Sequence, residues 1–255
     1  ETRETLHEMM VLYGSEYGLL NLTYPSIRRM TNYGLNSTMT AADMVYCIDA
    51  QLEVPIATRL ADDADAEALR EAEDAALARA FGEALGMLTR SSTSREGTQR
   101  AGIERSKELL KGLITCGNRV LSAKQFEQLG DYFQVILRES VETDKFVHVQ
   151  ALTKLALFLA DALRETRGGG KEPIPVLLAA PKRDRTHLVV AVLGSARYWR
   201  TGGRNSFGNA FHEAARDPRV KARVAHEAFD ASVVVVQSDD LKNFLEGVVL
   251  NYDAV

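Results

Sequence analysis

The chain has 255 residues, 45% hydrophobic and 26% charged, enough for one large domain or two modest ones with a buried core. A formal net charge of -4 and a pI near 5.8 exclude a surface that is a nucleic-acid footprint throughout, so any such contact is a local patch. No apolar run approaches the roughly 20 residues of a membrane-spanning helix, and two cysteines, Cys47 and Cys116, make no disulfide framework and suit a reducing compartment.

The opening ETRETLHEMMVLYG has neither a basic start nor an apolar core of signal-peptide type, and without an initiator methionine the sequence is expected to begin partway through a longer chain. From Thr5 to about Leu88 the signal is helical, broken at Tyr24-Pro25, at Asn36 to Thr38 and at Pro55. Thr40 reads as an N-cap, and Met44, Cys47, Ile48 and Leu52 form one apolar stripe at helical spacing. Asp62 to Asp74 holds seven acidic residues and one arginine, a local charge of -6, before Leu77, Phe81, Leu85 and Leu88 continue the helical period. This pattern predicts a helix solvated at its start and buried at its end. The polar RSSTSREGTQR, residues 90 to 100, lacks apolar periodicity and reads as a flexible loop or boundary. It divides a helical region, residues 1–92, from a second domain, residues 99–255.

Ile103, Leu109, Leu110, Leu113 and Ile114 predict a further helix, ending near Gly117-Asn118 where a left-handed cap is easy. The period then changes. YFQVILR, IPVLLAA, HLVVAVL and ASVVVVQ read as strands, and residues 149 to 165, 206 to 216 and 240 to 250 as helices. Gly168-Gly169-Gly170 with Pro173 and Pro175 reads as a connection. The fold class is therefore α/β, with an N-terminal helical region followed by a central sheet flanked by helices.

The segment RYWRTGGRNSFGNAFHEAARD, residues 197 to 217, follows one of these strands and opens a helix whose face carries Phe207, Ala210, Phe211 and Ala214. Asn205 or Ser206 is the expected cap. Between Lys182 and Arg204 lie six basic residues and one aspartate, a local +5 in a chain of negative total, with Tyr198 and Trp199 interleaved. Helix starts carry unpaired N–H groups and a positive dipole end, and arginine adds a planar fork for phosphate. Lys182, Arg183, Arg197, Arg200, Gly202, Gly203, Arg204, Asn205 and Ser206 are thus the candidate nucleic-acid contacts. A plain loop and cap, with solvated arginines and with Trp199 and Tyr198 as core anchors, explains the same residues.

Other chemistry is not assigned. HEAAR at 212 to 216 and HEAFD at 226 to 230 lack the second histidine one turn on that a zinc helix needs, and the five histidines show no paired ligand spacing. Asp62, Asp63 and Asp65 spread around a helix rather than converging on a metal. Ser195 and Ser206 have no GxSxG context, and no phosphate loop ends in GK[ST]. No catalytic residue, metal site or cofactor is expected.

The order of segments resembles one family. ETLHEMMVLYGSEYGL, MTNYGLNSTMTAADMVYCIDAQLE, GIERSKELLKGLITCGNRVLS, IPVLLAAPKRDRTHLVVAVLG, GGRNSFGNAFHEAARD and FDASVVVVQSDDLKNFLEGVV together look like the C-terminal half of the eukaryotic cell division control protein forty-five family. Residues 62 to 100 and 124 to 147 match poorly. That family is similar to RecJ-type exonucleases, with an N-terminal DHH phosphoesterase-like domain, a helical interdomain and a C-terminal DHH-associated α/β domain. The resemblance implies that this chain holds the end of the interdomain and the associated domain. A GGH motif contacts substrate phosphate in active relatives; its nearest match is Gly202-Gly203-Arg204, where arginine stands for histidine.

The resemblance implies a non-enzymatic subunit of the replicative DNA helicase in the nucleus, a scaffold for replication initiation held between the MCM ring and the GINS complex, with weak single-stranded DNA contact. The alternative from the same resemblance is the substrate-clamping half of an active RecJ-like metal-dependent phosphoesterase. An unrelated α/β binding domain is the third reading.

Overall fold

The computed structural model describes residues 47–48, 50–52, 66–88, 92–140, 143–166, 174–182, 185–194, 205–226 and 228–252. The chain divides into two compact units, one of Glu1–Asn21 with Leu113–Val255 and one of Leu22–Gly112.

In the unit of Leu22–Gly112, Cys47, Ala50 and Gln51 lie buried in a short helical stretch. Helix α1 spans Ala66–Leu88 and helix α2 spans Ser92–Ser122, with its residues to Gly112 in this unit. Glu83 of α1 accepts a hydrogen bond from the Gln51 amide and pairs with Arg105 of α2 at 3.8 Å. α1 is exposed at Glu71 and Asp74 and has buried positions toward its end, as expected, but the residues that pack there are not the large apolar ones of the predicted stripe. Ala80 and Ala84 are 2% and 4% exposed, whereas Leu77, Phe81 and Leu85 are 56%, 61% and 53% exposed. A short alanine face lets helix backbones approach closely, and here it is that face that packs. The early part of α1 predicted from Asp62 begins at Ala66 among the described residues.

The stretch read as a loop at 90 to 100 is helical from Ser92. No proline interrupts the backbone ladder there, so the helix runs on through a polar stretch that carries no apolar period in the sequence. The predicted stop at Gly117-Asn118 also fails, and for a packing reason. A Cβ at Gly117 would lie 2.2 Å from the Phe158 ring, so the glycine makes room for an aromatic side chain rather than a turn. The helix ends instead in a Schellman arrangement: Gln125 N–H donates to the Val120 carbonyl at 2.9 Å and Lys124 N–H to that of Leu121 at 3.1 Å, with Lys124 at φ +49°.

In the other unit the chain forms β1 (Glu127–Leu129), β2 (Tyr132–Ile136), a 3-10 turn (Thr143–Phe146), α3 (Val149–Thr166), β3 (Val176–Pro181) and β4 (Thr186–Val192). It continues with α4 (Phe207–Arg216), β5 (Val224–Ala225), β6 (Val233–Gln237), a second 3-10 turn (Ser238–Asp240) and α5 (Leu241–Asn251). The six strands make one open mixed sheet, ordered β1-β2-β3-β4-β6-β5. Gly130, at φ +60°, opens the two-residue β1–β2 hairpin in a conformation that glycine adopts without strain. β2 and β3 pair in parallel, so a crossover must join them, and α3 supplies it.

The sheet is covered on both faces, which explains why β3, β4 and β6 read as nearly continuous apolar runs. Leu177, Ala179, Val189, Ala191, Val234 and Val236 face α4 and α5, where Phe207, Phe211, Phe244 and Val248 close the core. The alternate residues Leu178, Ala180, Leu188 and Val190 are equally buried and face α3, whose Leu152, Leu155 and Leu159 are fully enclosed. α4 and α5 approach closely at Gly247, where a Cβ would meet Val220 at 2.7 Å and Ala214 at 3.2 Å.

Candidate nucleic-acid interface

β4 leaves the sheet at Val192, and the chain turns at Gly194 with φ +95°. It returns to the described residues at Asn205, just before α4. Arg197, Arg200, Gly202, Gly203 and Arg204, with Tyr198 and Trp199, belong to the connection outside the described residues, as does Arg183 in the β3–β4 turn. The geometry of the helix entrance itself is built by residues on either side.

Asn205 does the capping. Its Oδ1 accepts the Phe207 N–H at 3.2 Å and its Nδ2 donates to the Ala191 carbonyl at 3.1 Å, so one amide joins the first turn of α4 to the end of β4. Helix starts leave their first N–H groups without intrahelical acceptors, and a side-chain oxygen in this position satisfies one of them. Ser206 has helical dihedrals, its carbonyl takes the Ala210 N–H at 3.1 Å, and its hydroxyl bonds to Tyr252 rather than capping.

Two further features hold this entrance. A Cβ at Gly208 would stand 3.0 Å from that of Ala231, which sets the first turn of α4 against the turn before β6. That turn is fixed by Asp230, whose Oδ1 accepts both the Ser232 N–H at 2.8 Å and the Ser232 hydroxyl at 2.7 Å. Behind the entrance, the Phe207 ring stacks on Tyr252 at 4.3 Å and meets Tyr132 edge-on at 5.2 Å, while Tyr132 and Tyr252 are 4.9 Å apart. Burial pushes the Tyr132 phenol up to about 12, with the nearby Tyr252 and Glu127 adding to the shift, so it stays neutral at physiological pH. Tyr252 is also raised, chiefly by burial.

Lys182 lies elsewhere. Its backbone N–H donates to the Thr186 carbonyl at 2.8 Å across the β3–β4 turn, so it sits at the start of β4 while Asn205 and Ser206 sit at its end. Seven residues at about 3.3 Å each separate the two places by about 20 Å. The length of β4 therefore separates Lys182 from the helix entrance at Asn205 and Ser206. Near Lys182, His187 Nδ1 is 3.0 Å from Ser238 Oγ. Burial lowers the His187 pKa, opposed by the Glu139 carboxylate. Arg223 binds Asp240 through its Nε at 2.8 Å, which holds that carboxyl below its usual range.

Tyr132, Ala191, Asp230, Ser232 and Tyr252 shape the entrance, and the sequence reading does not connect them to it. They come from four separate elements, and only strand pairing brings them together. A shallow groove of about 280 Å³ beside β1 and β2, lined by Gln125, Phe126, Glu127, Gln134, Ile136 and Arg138, contains none of the candidate contacts. Among the described residues, no group of three or more His, Cys, Asp or Glu side chains is placed to hold a metal ion. Among the same residues, no helix is long and apolar enough to cross a membrane. Cys47 and Cys116 are both buried and neither forms a disulfide.

The fold and this entrance define a mixed α/β domain with an open sheet between helical layers, joined to a helical unit. A sequence-family model described as CDC45 matches residues 1–251. The chain belongs to the CDC45 family. It is 25% identical over 245 residues to the cell division control protein 45 homolog of Dictyostelium discoideum, covering 96% of this chain and 35% of that protein. To the homolog of Schizosaccharomyces pombe it is 26% identical over 268 residues, covering 96% of this chain and 41% of that one. The chain thus spans little more than a third of the length of these relatives. The crystal structure of CDC45 from Entamoeba histolytica is similar in fold, with a TM-score of 0.52 at 19% identity, over 86% of this chain and 39% of the other.

Proposed function

We propose that this chain is the C-terminal part of a CDC45-type protein and acts as a non-enzymatic scaffold of the eukaryotic replicative DNA helicase in the nucleus. Residues 1–92 then form the end of a helical interdomain and residues 99–255 a DHH-associated-type domain. The observation that carries this reading is the family match, which runs through both units from residue 1 to residue 251. The MCM ring and the GINS complex are the partners, docked on helical faces and on the α/β domain. Single-stranded DNA is a weaker ligand, held where the positive end of α4 and the Asn205-capped entrance meet the basic connection from Arg197 to Arg204.

One experiment addresses both parts. Purified chain, tagged and mixed with purified MCM and GINS components, is expected to retain at least one of them; recovery of neither removes the scaffold reading. The same preparation titrated with single-stranded oligonucleotide is expected to bind more weakly as salt rises, because bound cationic side chains release counterions. Arg200→Ala combined with Arg204→Ala should flatten that dependence, and an unchanged slope removes the DNA contact.

A further inference from the structure

Helix α1 keeps its large apolar side chains off its packed face. Leu77, Phe81 and Leu85 recur every four residues, which aligns them along one side of the helix, and each is more than half exposed. Asp74 lies about one turn before Leu77 on that side and is exposed, with Glu71 exposed a turn earlier. Neither carboxylate forms an ion pair among the described residues. From Glu67 to Asp74 the sequence holds four acidic residues and one arginine. One side of a 23-residue helix therefore carries Glu67, Arg70, Glu71 and Asp74, a net negative set, in its first half and is apolar in its second. Contiguous exposed apolar side chains of this size mark interaction sites, whereas scattered ones do not.

The charge decides among occupants. A second copy of α1 laid parallel sets carboxylate on carboxylate, and laid antiparallel it desolvates carboxylates against leucine, so self-pairing is disfavoured both ways. A lipid surface is disfavoured as well, since helices that lie on membranes carry lysine and arginine on their polar side and anionic lipid repels acid. A complementary occupant needs an apolar stripe that continues into positive charge. We propose that the Leu77, Phe81 and Leu85 face of α1 docks an amphipathic helix of a partner protein, whose apolar stripe runs on into lysines or arginines that meet Glu71 and Asp74. The span from Asp74 to Leu85 is about 16 Å at 1.5 Å per residue, so three turns of a partner helix cover it. The inference deepens the docking reading above and rests on it for the partner being a protein.

The probe is a synthetic amphipathic peptide with a leucine stripe in one half and lysines in the other, compared with a version carrying glutamate for lysine. Fluorescence anisotropy against the whole chain is expected to give about tenfold tighter binding of the lysine peptide at low salt, narrowing as salt rises. Phe81→Ala should lose about tenfold in affinity and leave the melting temperature unchanged. Equal binding of the two peptides, or binding indifferent to Phe81→Ala, overturns the proposal. A lower melting temperature for Phe81→Ala also overturns it, by placing the stripe inside the chain's own fold, and so does a dimer that Phe81→Glu dissolves. The peptides contain no MCM or GINS sequence. Failure of the pull-down with the lysine preference intact removes those partners and leaves this face standing, while the reverse outcome removes the face alone.

Discussion

In α4 the apolar positions Phe207, Ala210, Phe211 and Ala214 are all fully buried against the sheet and α5, whereas in α1 the positions of similar spacing, Leu77, Phe81 and Leu85, face solvent while alanines pack. Both helices are written with a helical period, so period alone identifies the element. The period does not say which side packs: in α4 it is the side with the phenylalanines, against the sheet and α5, and in α1 the side with Ala80 and Ala84. The large apolar residues of α1 lie outside its packed side, and they are the ones on which the proposed docking rests.

The largest effect that sharpens this contrast is a pair of truncations. Phe211→Ala should cost about 3–5 kcal/mol by opening a cavity beneath α5, and Leu77→Ala should stay within about 0.5 kcal/mol. Urea denaturation of the two variants measures both, and a cost for Leu77→Ala close to that of Phe211→Ala breaks the comparison.

A smaller contrast uses two helical glycines. At Gly82 in α1 an added Cβ meets nothing within 4 Å, so Gly82→Ala should stabilise by up to about 1 kcal/mol through helix propensity. At Gly117 in α2 the same change meets the Phe158 ring, itself buried and unable to withdraw, and overpacking of about 1–3 kcal/mol should outweigh that gain. Thermal melts should therefore move in opposite directions. Two shifts of the same sign would mean that Phe158 yields.

The smallest effect concerns pH at the far end of β4. Burial lowers the folded pKa of His187 below its ordinary 6.5, so the folded state favours the neutral ring more than the unfolded state does. Its contribution is present above the unfolded value and is lost as pH falls through the folded one. Stability followed from about pH 8 to about pH 5 should decline, and His187→Gln should reduce that slope. An identical slope in the variant assigns the decline to other groups.

The strands of the α/β unit were legible because they are buried on both faces. VLLAAP, THLVVAV and VVVVQ are apolar throughout, and the helices at 149, 207 and 241 begin within a residue or two of where their periods place them. β1 and β5 left no such trace, since EQL and VA are too short for a period of two to be visible. The helical start of α2 was hidden for a different reason, because STSREGTQR is polar throughout and offers no apolar period to read. At the candidate interface, the capping by Asn205 was readable from residue type and position. Its bond to Ala191 and the aromatic group of Tyr132, Phe207 and Tyr252 were not, because strand pairing over long sequence separations creates them. Lys182 shows the same limit, since the seven residues of β4 lie between it and the helix entrance at Asn205 and Ser206.

The brevity of the two outermost strands has a consequence for assembly. With three residues in β1 and two in β5, an incoming polypeptide finds only a couple of main-chain groups to pair with at either border, too few to seed a growing stack. Among the described residues the borders of the sheet thus offer little to an added strand, which leaves side chains on the outer helices and turns as the larger surface for contact.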